Sequence, residues 1–247
     1  MFEVGSLSRS TSNDRALMKL ISWNLLHREG AALAEVARLV EQERPDALLM
    51  QEVTAVFEEL PHLVGGQFSR TPLPGRRHGL AVWTASAPPH PPVTIALPAG
   101  AVVKRICQIV ELDGFSAANV HLSHSQLLNR RQLRHIAGHL PKRAAILGDY
   151  NLVGPPLLPG FADAGPRQPT HHMSDFLPLR LDRCLLRGLI CLETRVLARG
   201  TSDHHPILVR LAPAEEVTRV KRATTLPPRF ARYASLAREN ARRFRRP

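Results

Sequence analysis

The chain has 247 residues, 44% of them hydrophobic, which is enough for one domain with a substantial core. No apolar run approaches the roughly 20 residues that span a bilayer, and the first residues lack the apolar stretch of a secretory signal. These features argue against an integral membrane protein and favour a cytoplasmic one. The three cysteines have no metal-ligand spacing, so we expect them to be reduced and mostly buried.

The net charge of +12 is concentrated towards the C-terminus. Residues Val217–Pro247 carry one lysine and nine arginines against a single acid, Glu239. Such a segment is typical of contact with an anionic surface, such as nucleic acid, the ribosome or lipid headgroups, although a solubilising extension has the same composition. We therefore divide the chain into a flexible arm (1–16), a folded domain (17–212) and a basic extension (213–247).

The first half of the chain carries both strand and helix patterns. Apolar residues at helical spacing predict a helix over Gly30–Glu43, which ends before Pro45. Short apolar runs predict three strands, Leu17–Leu25, Asp46–Val53 and His78–Ala85. The four prolines of Ala87–Pro92 exclude that segment from the interior of a sheet and predict a loop.

The second half is richer in strands. Lys104–Leu112 and Phe115–Leu122 are predicted to be neighbouring strands, because Asp113-Gly114 between them is a strong hairpin signal. Helical spacing follows over Gln126–Leu140. Further strands are predicted at Ala144–Gly148, Leu181–Arg187, Thr194–Ala198 and Ile207–Leu211. Leu152–Pro178 is rich in proline and glycine and is predicted to be a long loop of the kind that often carries function.

Many strands with few helices favour a mixed α/β sandwich. In this fold class two sheets pack face to face and the helices cover the outside. A purely parallel, doubly wound sheet is less favoured, because too few helices are available as crossover connections.

Polar residues recur at the ends of the predicted strands. They are Asn24, Glu52, His121, Asp149 and Asn151, together with Asp203 and His204 just before the last strand. Strand ends on one rim of a sandwich can bring such residues into one pocket. Carboxylate and amide oxygens bind hard divalent cations, and imidazoles beside them suit metal-assisted hydrolysis of a phosphoester.

Six short motifs carry a resemblance to a known family. In chain order they are Ser22-Trp23-Asn24, Leu49-Met50-Gln51-Glu52, Asn119-Val120-His121-Leu122, Gly148-Asp149-Tyr150-Asn151, Leu181-Asp182-Arg183 and Ser202-Asp203-His204-His205-Pro206. With these motifs in this order, the chain resembles the endonuclease/exonuclease/phosphatase family. That family includes pancreatic deoxyribonuclease, abasic-site endonucleases, neutral sphingomyelinases and inositol polyphosphate 5-phosphatases.

The resemblance implies a four-layer α/β sandwich and a phosphoesterase that depends on Mg²⁺ or Mn²⁺. It makes Glu52 the principal metal ligand, with Asn24 beside it and Asp203 as a further contributor to the metal site. One firm carboxylate ligand is chemically sufficient, because Mg²⁺ keeps several waters and binds phosphate oxygens of the substrate.

The resemblance also implies catalytic roles for five residues. Asp149 would orient or deprotonate the attacking water, and Asn151 would hydrogen-bond a phosphate oxygen and help to hold that water. His204 would contact the phosphate or act as acid or base, with Asp182 fixing its tautomer. His121 would donate to a non-bridging oxygen or assist the leaving group, where charge accumulates in the transition state.

Three more side chains are candidates for contact with substrate phosphate. Arg105 opens a predicted strand, where a solvated arginine is an equal alternative, and Thr170 and His171 lie in the long loop. A zinc site built from His171, His172 and the cysteines lacks any recognised ligand spacing, and we expect none.

The leading hypothesis for function is a nuclease or other phosphodiesterase that acts on nucleic acid. A phospholipid, sphingomyelin or inositol-phosphate esterase is the first alternative, because the same core serves those substrates and the basic extension suits an anionic membrane. A non-catalytic nucleic-acid-binding protein is the second. Aromatic residues make up only 5% of the chain, which limits base stacking and favours contacts to backbone phosphates.

Overall fold

The apolar runs of the sequence form the strands of two large sheets and one small ribbon. The computed structural model describes residues 17–26, 30–100, 103–173 and 177–215. The strands in this part of the chain are β1 (Met18–Asn24), β2 (Ala47–Val53), β3 (Gln67–Pro72), β4 (Gly79–Thr84), β5 (Val93–Ala96), β6 (Ile106–Leu112), β7 (Phe115–His121), β8 (Ala144–Asp149), β9 (Ala162–Asp163), β10 (His171–Met173), β11 (Leu177–Leu179), β12 (Asp182–Arg187), β13 (Leu189–Val196) and β14 (Ile207–Pro213). The helices are α1 (Leu33–Glu43), α2 (Leu60–Val64) and α3 (Gln126–His139), and a 3-10 turn at Ala55–Glu59 precedes α2.

Both large sheets have six strands and are mixed. The first has the order β13-β14-β1-β2-β4-β3 and the second the order β5-β6-β7-β8-β12-β9, while β10 and β11 form the ribbon. Strands β1 and β2 are parallel and are connected through α1, and β7 and β8 are parallel and are connected through α3. Parallel strands end at the same edge of a sheet, which sets Asn24 beside Gln51 and His121 beside Asp149.

The two sheets pack face to face over a core made of alternate residues of their strands. Leu20, Leu49 and Val209 of the first sheet share this core with Ala117 and Leu147 of the second, and all five are 0% exposed. Alternation places one residue in two on this inner face. The remaining residues of each strand therefore point outwards.

Helices cover both outer faces, with α1 on the first sheet and α3 on the second. The outer cores include Ile21, Leu48, Met50, Val36 and Val40 on the first side, and Val120, Ile146, Leu133 and Ile136 on the second. Burial of both strand faces explains why these strands are continuous apolar runs rather than alternating ones. Helix, sheet, sheet and helix form four layers, which confirms the predicted four-layer α/β sandwich with two mixed sheets.

Several described elements lie where the sequence analysis predicted none, and the segment Leu152–Pro178, predicted to be a loop, contains the short strands β9 and β10 and the start of β11. Strands β3 and β5 are at the edges of their sheets, and most of their side chains are partly or fully exposed, so they lack the apolar runs that mark the central strands. Helix α2 is only one short segment of five residues. Strand β13 begins at Leu189 rather than at the predicted Thr194, because Gly188 adopts a φ of 65° and allows a tight connection from β12.

The chain divides into two units, Met1–Pro213 and Ala214–Pro247. The predicted arm (1–16) and nearly all of the predicted extension (213–247) lie outside the described residues, so both stay predictions. Among the described helices, none is long and apolar enough to cross a membrane. Cys107 and Cys184 are buried free thiols, and Cys191 is a partly exposed one.

Candidate active site

The carboxyl ends of the central strands of both sheets meet at one cleft of about 570 Å³. Eight of the eleven residues singled out from the sequence line it, namely Asn24, Glu52, His121, Asp149, Asn151, His171, Asp203 and His204. The other three, Asp182, Arg105 and Thr170, are buried. Residues far apart in the sequence are thus brought to one rim of the sandwich.

A buried polar bridge fixes the distance between the two sheets beside this cleft. The Gln51 amide donates to Ser22 Oγ at 3.1 Å and to Asn119 Oδ1 at 2.7 Å. Asn119 Nδ2 in turn donates to the carbonyl of Met50 at 3.0 Å. Because Gln51 directly precedes Glu52, this network ties the position of the Glu52 carboxylate to the opposite sheet.

Asp149 is the centre of the hydrogen-bond network in the cleft and is 1% exposed. Its Oδ1 accepts from the Asn151 backbone N–H at 2.8 Å. Its Oδ2 accepts from Asn24 Nδ2 and Asn151 Nδ2, each at 3.2 Å. His121 Nε2 lies 3.4 Å from the same Oδ2. Three hydrogen bonds from Asn24 and Asn151, with the His121 imidazole alongside, therefore converge on one carboxylate.

The backbone around this carboxylate adopts conformations that few residues tolerate. Gly148 has a φ of 144°, and a Cβ there would lie 1.9 Å from the Val120 carbonyl oxygen. Asn151 and Glu52 have φ of 48° and 59°, in the left-handed region. Such strain persists only where the surrounding structure enforces it, and it clusters at functional sites.

His204 and Asp182 form a buried pair at the edge of the cleft. His204 Nδ1 is 2.8 Å from Asp182 Oδ2, and its Nε2 faces Asp149 Oδ2 at 3.8 Å. Asp182 is 0% exposed, so the sequence-based inference that this carboxylate needs a partner fits the pair that the fold provides. Thr170 Oγ1 accepts from the Asp182 backbone N–H at 2.9 Å and so helps to hold the pair in place.

The charges in the cleft shift the pKa of three groups. Burial opposes protonation of His204, but the Asp182 and Asp149 carboxylates outweigh it and raise the pKa of His204 to about 10. Burial and the nearby Arg105 lower the pKa of His121 well below its ordinary value. Burial raises the pKa of Asp149, and the charge of His204 partly offsets that rise. At neutral pH the His204 imidazole is thus cationic and the His121 imidazole neutral.

The donor set near Glu52 fits a hard divalent cation. The Glu52 side chain is 17% exposed to the cleft, with Oε1 4.0 Å from His121 Nδ1. The neighbouring Asn24 offers an amide oxygen that also accepts from the Leu26 N–H at 3.2 Å. A carboxylate and an amide oxygen, with space for water, are ligands suited to Mg²⁺ or Mn²⁺.

The remaining candidates occupy other parts of the site. Arg105 is 6% exposed, and its charge interacts with Asp149 and Glu52. Thr170 is 0% exposed, and its hydroxyl is used by the backbone rather than turned to the cleft. His171 Nε2 lies 3.3 Å from Asp203 Oδ2, so Asp203 is paired with an imidazole.

Sequence reasoning missed several residues of the cleft wall. They include His124, Gln126, Val153 and Leu179. Gln126 begins α3 and donates to the Asn151 carbonyl at 3.3 Å. The sequence does offer a signal for Gln126. It lies a few residues beyond His121 and directly after Ser125, the N-cap of α3.

Comparison with known proteins places the chain in a family. The profile of the endonuclease/exonuclease/phosphatase family matches residues 21–204, whereas no curated protein matches the chain as a whole. Among solved structures, the fold is similar to an endonuclease/exonuclease/phosphatase from Bacteroides vulgatus, with a TM-score of 0.68, 16% identity and coverage of 80% of this chain and 99% of that chain.

Two structures of TDP2 are also similar. Truncated TDP2 from Caenorhabditis elegans has a TM-score of 0.63 and 18% identity, covering 79% of this chain and 97% of that chain. TDP2 from D. rerio, in complex with a single-strand DNA product, has a TM-score of 0.63 and 16% identity, covering 79% of this chain and 99% of that chain. Since the family profile spans most of its length, the chain belongs to the endonuclease/exonuclease/phosphatase family.

Proposed function

We propose that the protein is a Mg²⁺- or Mn²⁺-dependent phosphodiesterase that acts on nucleic acid by attack of water on phosphorus. Members of its family hydrolyse phosphoester bonds and are typically dependent on a divalent metal. The observation that carries the proposal is the convergence of Asn24, His121, Asn151 and His204 on the Asp149 carboxylate, beside Glu52.

Asp149 is the base in this proposal. The attacking water transfers a proton to Asp149 Oδ2 as its oxygen bonds to phosphorus and the bond to the leaving oxygen breaks. A raised pKa makes this buried carboxylate a better proton acceptor than an exposed one. Asn24 and Asn151 hold the carboxylate in position, each by a hydrogen bond of 3.2 Å.

The two imidazoles stabilise charge on the phosphate. With a pKa of about 10, His204 is protonated at neutral pH, so its Nε2–H can donate to a phosphate oxygen while Asp182 holds Nδ1. His121 is neutral and can donate from one ring nitrogen to a non-bridging or leaving oxygen. Arg105 adds positive charge next to two acidic groups of the cleft, Asp149 and Glu52.

Glu52 and Asn24 are the proposed ligands of the divalent cation, with Asp203 able to contribute. When bound, the cation would supply positive charge to the phosphate oxygens. Glu52 is suited to this role because its neighbour Gln51 is fixed by the bridge between the sheets. The carboxylate therefore requires little reorganisation on binding.

Three features favour nucleic acid as the substrate. The similar TDP2 from D. rerio forms a complex with single-strand DNA. The Val217–Pro247 sequence is strongly basic and suits salt-dependent contact with phosphates. The low aromatic content of 5% agrees with recognition through the backbone rather than through stacked bases.

One observation favours a lipid substrate as the second candidate. Val153 lines the cleft and is 60% exposed, which would suit an apolar group next to the phosphate. Hydrolysis of sphingomyelin or phospholipid vesicles without cleavage of DNA or RNA would favour this candidate.

The test is a substrate panel with Mg²⁺ and with Mn²⁺. It contains single- and double-stranded DNA, abasic DNA, RNA, sphingomyelin and inositol phosphates. We expect metal-dependent cleavage of at least one nucleic acid, and loss of cleavage in Glu52→Gln and His204→Asn. The control is Glu58→Gln, an acid outside the cleft that pairs with Arg70. Wild-type turnover in both cleft variants would refute the proposal.

A further inference from the structure

One wall of the cleft carries a cluster that the proposed hydrolysis uses only in part. His171 of the ribbon lies next to Asp203 and His204 from the segment before β14. One potential ligand atom from each of the three lies within 4.8 Å of the others. We propose that these residues form a binding site for a borderline transition-metal ion, such as Zn²⁺, with ligands other than the Glu52 and Asn24 pair.

The spacing of His171 and Asp203 matches two ligands of one ion. Nitrogen and oxygen ligands about 2.1 Å from a tetrahedral Zn²⁺ lie about 3.4 Å from each other. His171 Nε2 and Asp203 Oδ2 are 3.3 Å apart. The rings of His171 and His204 are tilted by 57° with their centroids 4.4 Å apart, and one ligand atom of His204 lies within 4.8 Å of those of His171 and Asp203.

His204 is already oriented as a metal-ligating histidine. Its Nδ1 is 2.8 Å from Asp182 Oδ2, which leaves Nε2 directed to the cleft. Histidines that bind metals commonly donate their other ring N–H to a carboxylate in this way, which fixes the tautomer and the ring orientation. Asp182 is 0% exposed and holds this orientation rigidly.

Two polar atoms of the cluster have no hydrogen-bond partner among the described residues. Asp203 Oδ1 and His171 Nδ1 are buried and have no hydrogen-bond partner in the part of the chain that the structure describes. Buried polar groups in native proteins are nearly always paired with protein, water or an ion. A bound ion with its waters would supply a partner for Asp203 Oδ1.

The backbone holds the three ligands together before any ion binds. His171 forms a β-bridge with His204, and the His205 N–H donates to the Thr170 carbonyl at 2.7 Å. Trp23 Nε1 donates to the His204 carbonyl at 3.0 Å. The ribbon, the segment before β14 and β1 are thus joined at this point, which lowers the entropy lost on binding.

The chemistry of the donors sets the class of ion. Two imidazole nitrogens and one carboxylate favour Zn²⁺ and its transition-metal neighbours over Mg²⁺, which prefers an all-oxygen shell. Three protein ligands leave a fourth position for water. An ion here uses the same His204 Nε2 that faces Asp149, so the ion and a substrate phosphate exclude each other from that nitrogen.

The experiment uses the full-length protein, stripped of metal, in the Glu52→Gln background, so that the proposed catalytic cation site does not contribute. Co²⁺ serves as the spectroscopic probe and Zn²⁺ as the competitor. We expect one equivalent of Co²⁺ to give a visible d–d absorption of nitrogen and oxygen ligation, and one equivalent of Zn²⁺ to remove it.

Added His171→Gln or Asp203→Asn should abolish the absorption, and added Asp182→Asn should weaken binding by about 10- to 100-fold. His90→Gln is the matched control, because His90 is an exposed histidine that pairs with Glu111 on another part of the surface. We expect Asp203→Asn to fold normally, because the Asp203 side chain is 34% exposed. Loss of the absorption in this variant therefore reports on metal binding and not on misfolding.

Absence of stoichiometric Co²⁺ binding would overturn this proposal. So would binding that persists unchanged in both His171→Gln and Asp203→Asn, because the ion would then lie elsewhere. The readout is binding in a variant without Glu52, so its failure is distinct from failure of Mg²⁺-dependent hydrolysis by the wild-type protein.

Discussion

Two aspartates that line the cleft differ in how firmly the fold holds them. Asp149 ends a central strand, is 1% exposed and has both oxygens engaged by hydrogen bonds from Asn24 and Asn151. Asp203 lies in the loop before β14, has a side chain that is 34% exposed, and contacts the ribbon residue His171. The Asp149 carboxylate is held in place by the sheet. Asp203, by contrast, belongs to the group of His171, Asp203 and His204, whose ligand atoms we propose to bind an ion.

The largest expected effect distinguishes these two carboxylates in catalysis. Asp149→Asn removes the proposed base and should lower kcat by about 10²- to 10⁴-fold, the usual contribution of general-base catalysis. Asp203→Asn should lower kcat less, because Asp203 is only a contributing metal ligand. Steady-state kinetics on a nucleic-acid substrate measures both. An equal or larger loss of kcat in Asp203→Asn would contradict the assignment of Asp149 as the base.

The next effect is on stability and concerns the strand end that carries Asp149. Gly148→Ala should destabilise the protein by about 3 kcal/mol or more, because its Cβ would clash with the Val120 carbonyl. Gly138 in α3 is the control, since a Cβ there has nothing within 4 Å. Gly138→Ala should be neutral or stabilise by about 0.5–1 kcal/mol. Urea unfolding measures both, and equal losses would contradict the packing described for β8.

A smaller loss is expected from the bridge between the sheets. Asn119→Ala removes the shortest of the hydrogen bonds that the buried Gln51 amide donates, at 2.7 Å, and should cost about 1–3 kcal/mol. Gln67→Ala, at the exposed start of the edge strand β3, should have little effect. Denaturant titration gives the free energy of unfolding of both variants. Equal values would show that the hydrogen bonds between the sheets do not stabilise the fold.

A pH-dependent effect is expected from the His204–Asp182 pair. Because the pKa of His204 is raised from 6.5 to about 10, its charge stabilises the fold fully below pH 6.5, and this stabilisation is lost as the pH rises towards 10. Asp182→Asn removes the negative charge that contributes most to raising the pKa of His204. The difference in unfolding free energy between wild type and Asp182→Asn should narrow across this window, and a difference that widens with pH would contradict the assignment.

The smallest expected effect on catalysis comes from removing the basic extension. A chain that ends at Pro213 should keep kcat on a short substrate, since the residues proposed for catalysis all precede that point. Affinity for long nucleic acid and its salt dependence should fall, because the ten basic and three acidic residues beyond Pro213 are lost, a net loss of seven positive charges. Binding at several salt concentrations measures this, and unchanged binding would remove the extension from substrate recognition.

The central strands and the strand-end residues were predictable from the sequence because two signals coincided. Continuous apolar runs mark strands that are buried on both faces, and residues such as Glu52 and Asp149 follow such runs directly. The parallel pairs β1–β2 and β7–β8 then place these ends on one rim. Edge strands β3 and β5 carry no such signal, since their side chains are largely exposed.

The wall around His171 was not predictable as a unit. Its members come from the ribbon and from the loop before β14, and what joins them is a tertiary β-bridge between His171 and His204. Zinc ligands are recognised in sequences by short fixed spacings, and His171 and Asp203 have none. The role of Thr170 was not predictable either. Its hydroxyl accepts from the Asp182 backbone N–H, and this contact depends on a proximity that only the folded chain reveals.

The most direct test of the central claim is the position of a bound cation relative to Asp149. An anomalous-difference map from crystals of the full-length protein grown with Mn²⁺ should show a peak bonded to the Glu52 carboxylate in the cleft that contains Asp149, and Glu52→Gln should lose that peak. A map with no ion at Glu52, or with the Glu52 carboxylate turned away from the Asp149 cleft, would contradict the account.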